Sequence, residues 1–398
     1  MEEPAPTWAD PPEGLLDAIF SRLPSFADRA SCTGVCTNWR ASAARQEHAS
    51  PPLLPCLLRP STAGISRCFH FFSKTSTDHP AVSEARFFGS VPGGWFVVAR
   101  QQWRGYAVLN VSSGEEISLP DGSREDQILI PIDLRVGILP SALVILAATV
   151  SPAPTPDGHF VVAAITFGHH KAVVWQPGMN RWVPLEAEQG LVGPALGQRS
   201  QIMLEELEDV IYYSCDQHEG FYFLTSQEHL LVFDPEDDDG QLFGDLDGYL
   251  FPDHLMSSPP EAGQEVAGRY LVESEGRLLM VKRFIAPGKG TVSFQVFTLE
   301  WDSSDPHWVC SDADAVTGKL LFIGRGCSRA IRTGRSGPGF IYFLDDAEGF
   351  PDVMSIVRTD KQYRCSDAGW FRYSPQYIEK SWPQGPPPDC SPWIWLYH

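Results

Sequence analysis

The chain has 398 residues, 43% hydrophobic and 12% aromatic, enough material for a large core and for two or three units of ordinary domain size. Its formal charge of −20 counts against nucleic acid and against anionic lipid as main partners, since both need a basic face. Gly and Pro number 34 each, which favours many turns and short elements over long helices.

The opening Met1-Glu2-Glu3-Pro4 is acidic and lacks the apolar stretch of a secretory signal. Asp10 is a good N-cap, Pro11 suits the first helical position, and Glu13 follows the cap by three residues. Leu15, Leu16, Ile19, Phe20 and Leu23 then fall on one broad helical face, and Pro24 ends the helix. Ser25 and Asp28 form a capping box for a second helix, with Cys32, Val35, Cys36 and Trp39 at i, i+3, i+4 and i+7. Gly34 lies inside that pattern and costs about 1 kcal/mol relative to Ala. Periodicity leaves two fates open for this apolar face: packing on the rest of the chain, or docking a partner helix.

From residue 53 the pattern changes to short runs rich in Val, Ile, Phe and Tyr, punctuated by Gly, Pro, Asp and Ser. Expected strands are Cys68–Lys74, Trp95–Arg100, Tyr106–Val111, Glu116–Leu119, Leu143–Val150, His159–Phe167, Ala172–Gln176, Arg181–Leu185, Val210–Tyr213, Gly220–Thr225 and His229–Phe233. They continue with Arg269–Glu273, Leu278–Phe284, Val292–Trp301, Trp308–Ser311, Lys319–Gly324, Phe340–Leu344 and Met354–Arg358. Glu275-Gly276 and Pro287-Gly288 are tight-turn signals between them. The longest apolar run, Ala142–Val150, is far short of the roughly 20 residues that span a bilayer and reads as a buried strand. The strands fall in groups at a loose period of roughly 45 to 60 residues, the cadence of propeller blades. Kelch and Trp-Asp repeat signatures are missing, so the pattern favours a propeller while leaving a sandwich open.

Nine Cys are scattered without a framework and are expected to be reduced. Cys32 and Cys36 lack a second Cys/His pair at zinc-finger spacing. No nucleophile elbow, phosphate loop or His-Glu-x-x-His motif occurs, so neither cofactor, metal nor catalytic centre is expected. His169 and His170 are adjacent, and neighbours on a strand point to opposite faces. The run from Asp234 to Gly240 lacks the alternating ligands of a calcium loop and reads as a solvated acidic loop. Arg325, Arg329, Arg332 and Arg335 form one basic cluster beside Gly-rich turns. A loop is expected there, either paired with the chain's own carboxylates or receiving an acidic or phosphorylated segment of a target.

Two resemblances sharpen this reading. The stretch Trp8 to Ala44 resembles an F-box, carrying Leu15-Leu16, then Ile19-Phe20-Ser21-Arg22-Leu23-Pro24, then Val35-Cys36-Thr37-Asn38-Trp39-Arg40. It departs from that family's pattern at Pro11-Pro12-Glu13-Gly14 and at Gly34. The resemblance implies an F-box over residues 8–48 that binds the Skp-type adaptor of a cullin ligase. The contact would be formed or supported by Leu15, Leu16, Ile19, Phe20, Leu23, Pro24, Val35 and Trp39. Within that set Trp39 is expected to be internal, and Leu16 and Leu23 to face the adaptor.

Residues 52–398 are similar to the plant family once called domain of unknown function 295, now described as a KIB-type β-propeller. The segments that carry the likeness include Val108-Leu109-Asn110, Ala172-Val173-Val174-Trp175-Gln176-Pro177-Gly178, Arg269-Tyr270-Leu271-Val272-Glu273, Gly326-Cys327-Ser328-Arg329-Ala330 and Pro392-Trp393-Ile394-Trp395-Leu396. The implied architecture is a small all-α F-box followed by an all-β propeller of about six blades. Ring closure is expected to join a strand near Leu53–Leu58 to one near Trp393–Leu396.

The implied function is that of a substrate-recognition subunit of a Skp–cullin–F-box ubiquitin ligase in the cytoplasm or nucleus of a plant. The propeller would bind a protein target and carry no catalysis of its own. A non-degradative binding module that only associates with the adaptor is the alternative.

Overall fold

The computed structural model describes residues 14–20, 32, 35–45, 54–60, 66–70, 75–79, 85–100, 104–122, 143–151, 159–167, 171–185, 205–215, 219–238, 241–251, 261–302, 305–311, 313–333, 337–346, 363, 366–380 and 391–397. Leu23, Pro24, Arg335, the His169-His170 pair and the expected strand Met354–Arg358 lie outside the described residues.

Two short helices come first, α1 (Leu15–Phe20) and α2 (Thr37–Arg45). The helix expected to run on from Pro11 is interrupted at Gly14, which takes φ +85° immediately before α1, and a left-handed residue cannot continue a right-handed helix. The second expected helix is also broken. Val35 and Cys36 lie outside any helix, the Val35 N–H closes a turn on the Cys32 carbonyl, and helical structure resumes at Thr37. The low helix propensity of glycine at 34 makes this the weakest point of the periodic run.

The remainder is a six-bladed propeller, six antiparallel-rich sheets in a ring. The first blade holds β1 (Cys56–Arg59), β2 (Ser66–His70) and β3 (Thr75–His79). The second holds β4 (Arg86–Val91), β5 (Trp95–Ala99), β6 (Tyr106–Asn110) and β7 (Glu116–Ser118). In the third are β8 (Val144–Val150), β9 (Val162–Phe167), β10 (Ala172–Trp175) and β11 (Val183–Pro184). The fourth comprises β12 (Leu207–Ser214), β13 (Glu219–Thr225), β14 (Leu230–Asp238) and β15 (Gln241–Tyr249). The fifth comprises β16 (Glu265–Ser274), β17 (Arg277–Ala286), β18 (Gly290–Asp302) and β19 (Asp305–Cys310). The sixth has five strands, β20 (Lys319–Ile323), β21 (Arg329–Arg332), β22 (Phe340–Phe343), β23 (Gly369–Arg372) and β24 (Tyr377–Glu379). The last strand, β25 (Ile394–Leu396), returns to the first blade and pairs antiparallel with β1, Leu57 opposite Trp395. This is the closure expected from sequence.

Each blade is sandwiched between two others, so both faces of its middle strands are covered. That is why β5 and β6 are buried along their whole length instead of alternating. Period two is still at work: Phe96 and Val98 join the core shared with the first and sixth blades, while Trp95, Val97 and Ala99 join the core shared with the third. The hydrophobic core is therefore a series of layers between blades. The turn between β16 and β17 is the expected Glu275-Gly276 hairpin, with φ of 55° and 72° at the two residues.

Two expected loops are strands. The acidic run continues β14 as far as Asp238, which pairs with Gln241 on β15. The register set by buried Leu230 and Leu231 carries the acidic half along, and buried Leu246 anchors the returning strand. Arg329–Arg332 forms β21, paired with β20. In that sixth blade the chain lays down β20, turns inward to β21, then crosses back so that β22 pairs parallel to β20. Among the described residues no helix is long and apolar enough to cross a membrane.

Candidate functional site: the propeller axis and the N-terminal helices

One edge strand of each blade faces the ring's axis: β4, β8, β12, β16, β21 and β25. These strands lean on one another around the centre, so the axis is where side chains from every blade can meet. It is not an open bore. The turn Gly324-Arg325-Gly326-Cys327, between β20 and β21, crosses it.

Gly326 takes φ +63°, and a Cβ there would stand 2.5 Å from the Ala148 carbonyl oxygen and 2.7 Å from that of Phe88. Only glycine fits such an approach of three backbones. Its carbonyl accepts the Ser90 N–H at 3.1 Å. Its own N–H donates at 2.7 Å to Asp209 Oδ1. Gly89 is tight for the same reason, since a Cβ would stand 2.8 Å from the Gly326 oxygen.

Asp209 holds this plug in place. It is 1% exposed on β12. Besides Gly326, it accepts the Val210 N–H at 2.9 Å and the Leu271 N–H of β16 at 2.8 Å. One carboxylate thus joins the fourth, fifth and sixth blades. Burial pushes its pKa up to about 7, against the opposing pull of the Gly326, Leu271 and Val210 N–H groups and of Arg325.

The plug leaves a blind cavity at each end. The smaller, about 60 Å³, is lined by Arg86, Arg325, Asp346, Tyr363 and Trp393 among others. Several of its polar groups are bound into the walls, although the buried Trp393 Nε1–H has no hydrogen-bond acceptor among the described residues. Arg325 Nη1 donates to the Glu208 carbonyl at 2.6 Å, and its backbone N–H donates to Asp346 at 3.2 Å. The Tyr270 hydroxyl donates to Asp346 at 2.6 Å, and Arg86 donates to the Tyr363 hydroxyl.

Beside this end, fully buried Arg283 donates to the Leu344 carbonyl at 2.6 Å and to Asp367 Oδ2 at 2.9 Å. Arg269 bridges Glu208 and Glu228 at 3.0 Å each, and Lys282 also meets Glu228. These charges sit between blades and satisfy one another, as buried ions must. Among the described residues no group of three or more His, Cys, Asp or Glu is placed to hold a metal ion.

The larger cavity, about 250 Å³, opens at the other end. It is lined from five inner elements, including Ser90, Thr149, Ile211, Leu271 and Arg329.

Of the four arginines that sequence grouped together, the three described ones are therefore dispersed, and Arg335 lies outside the described residues. Arg325 faces the smaller cavity and Arg329 the larger, on opposite sides of the plug. Arg332 stands on the rim, 76% exposed, paired with Glu275 at 2.9 Å. A tight turn followed by a strand separates residues that are neighbours in sequence. Ser90, Thr149 and Asp209 carried no motif of their own. The nearest signal was the Gly326-Cys327-Ser328-Arg329 segment, whose glycine makes the plug possible.

In the N-terminal segment Leu15, on α1, is 40% exposed, and Val35, in the turn before α2, is 60% exposed. Leu16, expected to face outward, is only 7% exposed, whereas Ile19 and Trp39 are half-buried. Of the other positions expected there, Leu23, Pro24 and the Phe20 side chain lie outside the described residues.

The profile of the KIB1-4 beta-propeller matches residues 67–372. The chain belongs to this family. The match covers the plug and all but β25 of the inner strands, and the closing strands β1 and β25 lie outside the matched span. No curated protein matches the chain. Among solved structures it is similar to a novel alpha-L-arabinofuranosidase from Clostridium thermocellum, 13% identical, with a TM-score of 0.29 over 63% of this chain and 83% of that one. A likeness at that level carries no argument about activity.

Proposed function

We propose that this KIB1-4 propeller is the substrate-recognition subunit of a Skp–cullin–F-box ubiquitin ligase, working in the cytoplasm or nucleus of a plant. The N-terminal helices dock the Skp-type adaptor, the propeller holds a protein target, and ubiquitin transfer belongs to other subunits. Tethering acts by effective concentration, bringing target lysines close to the charged conjugating enzyme.

The observation that carries this reading is the exposure of Leu15 and Val35, two apolar residues of the F-box-like stretch left in water. Exposed apolar side chains on a short helix and the turn beside another fit a partner's groove better than they fit solvent. A six-bladed scaffold with axial cavities fits the second half of the task, since loops and inner strands can vary over a fixed frame.

Leu15→Asp combined with Val35→Asp tests the first half, because exposed positions can be changed without unfolding the chain. Purified Skp-type adaptor is expected to be captured by the wild-type chain and at least about ten-fold less by the double variant, as for loss of a small apolar anchor. Equal capture, with matched melting curves, removes the F-box assignment. Adaptor capture without cullin in the complex would instead support a non-degradative module.

A further inference from the structure

The larger axial cavity combines three features that the walls leave unused. Ser90 is 6% exposed, lines the cavity, and its Oγ is buried without a hydrogen-bond partner. A buried hydroxyl in that state is costly unless something else completes it. Arg329 also lines the cavity. Its guanidinium makes no hydrogen bond and no ion pair among the described residues, and rests 5.9 Å over the Tyr397 ring. That ring is itself pinned by the Tyr397 hydroxyl, which donates to the Cys327 carbonyl at 2.5 Å. A chain with 50 Asp and Glu against 30 Lys and Arg has carboxylates to spare, yet among the described residues none meets this arginine. The third feature is the wall itself: Val91, Val150, Val210, Ile211 and Leu271 give it an apolar lining.

The geometry points to a carboxylate with a short apolar stem as the guest of this cavity, its charge met by Arg329 and its second oxygen by the Ser90 hydroxyl. A volume of about 250 Å³ admits one side chain or one small acid, below the range for a drug-sized ligand. A single guanidinium suits a monoanion. Glu273 is also in the lining, with Oε1 accepting the Gly276 N–H at 3.0 Å, and its negative charge disfavours a doubly charged phosphate. The carboxylate can come from a target's glutamate side chain, which would deepen the reading given under Proposed function, or from a free acid, which needs no ligase at all.

The test uses the full chain and three probes followed by NMR titration: N-acetyl-glutamate N-methylamide, its glutamine counterpart, and butyrate. The blocked glutamate is expected to bind about ten-fold more tightly than the blocked glutamine, as a charge-assisted contact implies. Arg329→Gln should erase that preference, and Ser90→Ala should weaken the acid by about five-fold while raising or preserving the melting temperature. Butyrate binding as tightly as the blocked glutamate assigns the site to a free acid, and weaker binding assigns it to a side chain. Both outcomes uphold the carboxylate.

Equal binding of glutamate and glutamine, a preference that survives Arg329→Gln, or no response to any probe overturns the inference. Adaptor capture by Arg329→Gln, measured alongside, should equal wild type. The ligase reading therefore stands or falls on Leu15 and Val35 and not on this cavity.

Discussion

Deleting residues 392–398 is expected to abolish the propeller's cooperative unfolding transition. The deletion removes β25, the inner strand of the first blade, and with it the antiparallel pairing to β1. Trp393, Ile394, Trp395, Leu396 and Tyr397 are all buried, Trp395 completely. Each is worth about 1.5–3 kcal/mol of burial, so together they rival the about 5–15 kcal/mol by which a whole domain is stable. The truncation also bares Leu57 and the hydrogen-bonding edge of β1, an invitation to aggregate.

Trp395→Ala is the graded version. The indole N–H donates to the Ile323 carbonyl at 2.9 Å and the ring meets Phe322 edge-on at 5.1 Å, so it ties the first blade to the sixth. Its loss is expected to cost about 3–5 kcal/mol. Urea unfolding followed by near-ultraviolet circular dichroism reads both. An unchanged midpoint in the truncated chain would mean that the ring does not depend on this strand.

The second large effect is expected at Asp209. Asp209→Ala leaves the N–H groups of Val210, Leu271 and Gly326 without their acceptor in the centre of the ring. An unsatisfied buried group costs about 1–3 kcal/mol, so a total loss of roughly 3–6 kcal/mol is expected. Asp209→Asn should fall between, because one amide cannot accept from all three donors and its NH2 must face a donor.

The same residue predicts a pH dependence. Its folded pKa is raised to about 7 from the ordinary aspartate value of 3.8, chiefly by burial. The folded chain therefore keeps a proton that the unfolded chain has released. Its contribution to stability is largest below about pH 4 and is lost as pH rises toward about 7, with little further change above. The difference in unfolding free energy between wild type and Asp209→Asn should slope over that window and flatten beyond it. A difference that is flat from about pH 4 to 8 would show that Asp209 is ionised throughout and that its three N–H donors outweigh burial.

The sequence by itself determined the middle of each blade and how the ring closes. Runs such as Trp95–Ala99 and Ala172–Trp175 are apolar on both faces because a neighbour covers each face. The apolar tail around Trp395 had to find a sheet, since no water-exposed position tolerates so much surface. What the sequence left hidden lies at the two edges of the blades. Strands β3, β23 and β24 sit at or near the outer rim and β4 and β21 at the axis, where exposure or crowding places charged, polar or glycine residues that interrupt the apolar runs. Asp209, Gly326, Ser90 and Arg329 acquire their roles only from contacts across separate blades. The tertiary structure alone decided them, because a channel is made by residues far apart in sequence and no local pattern encodes which of them will meet.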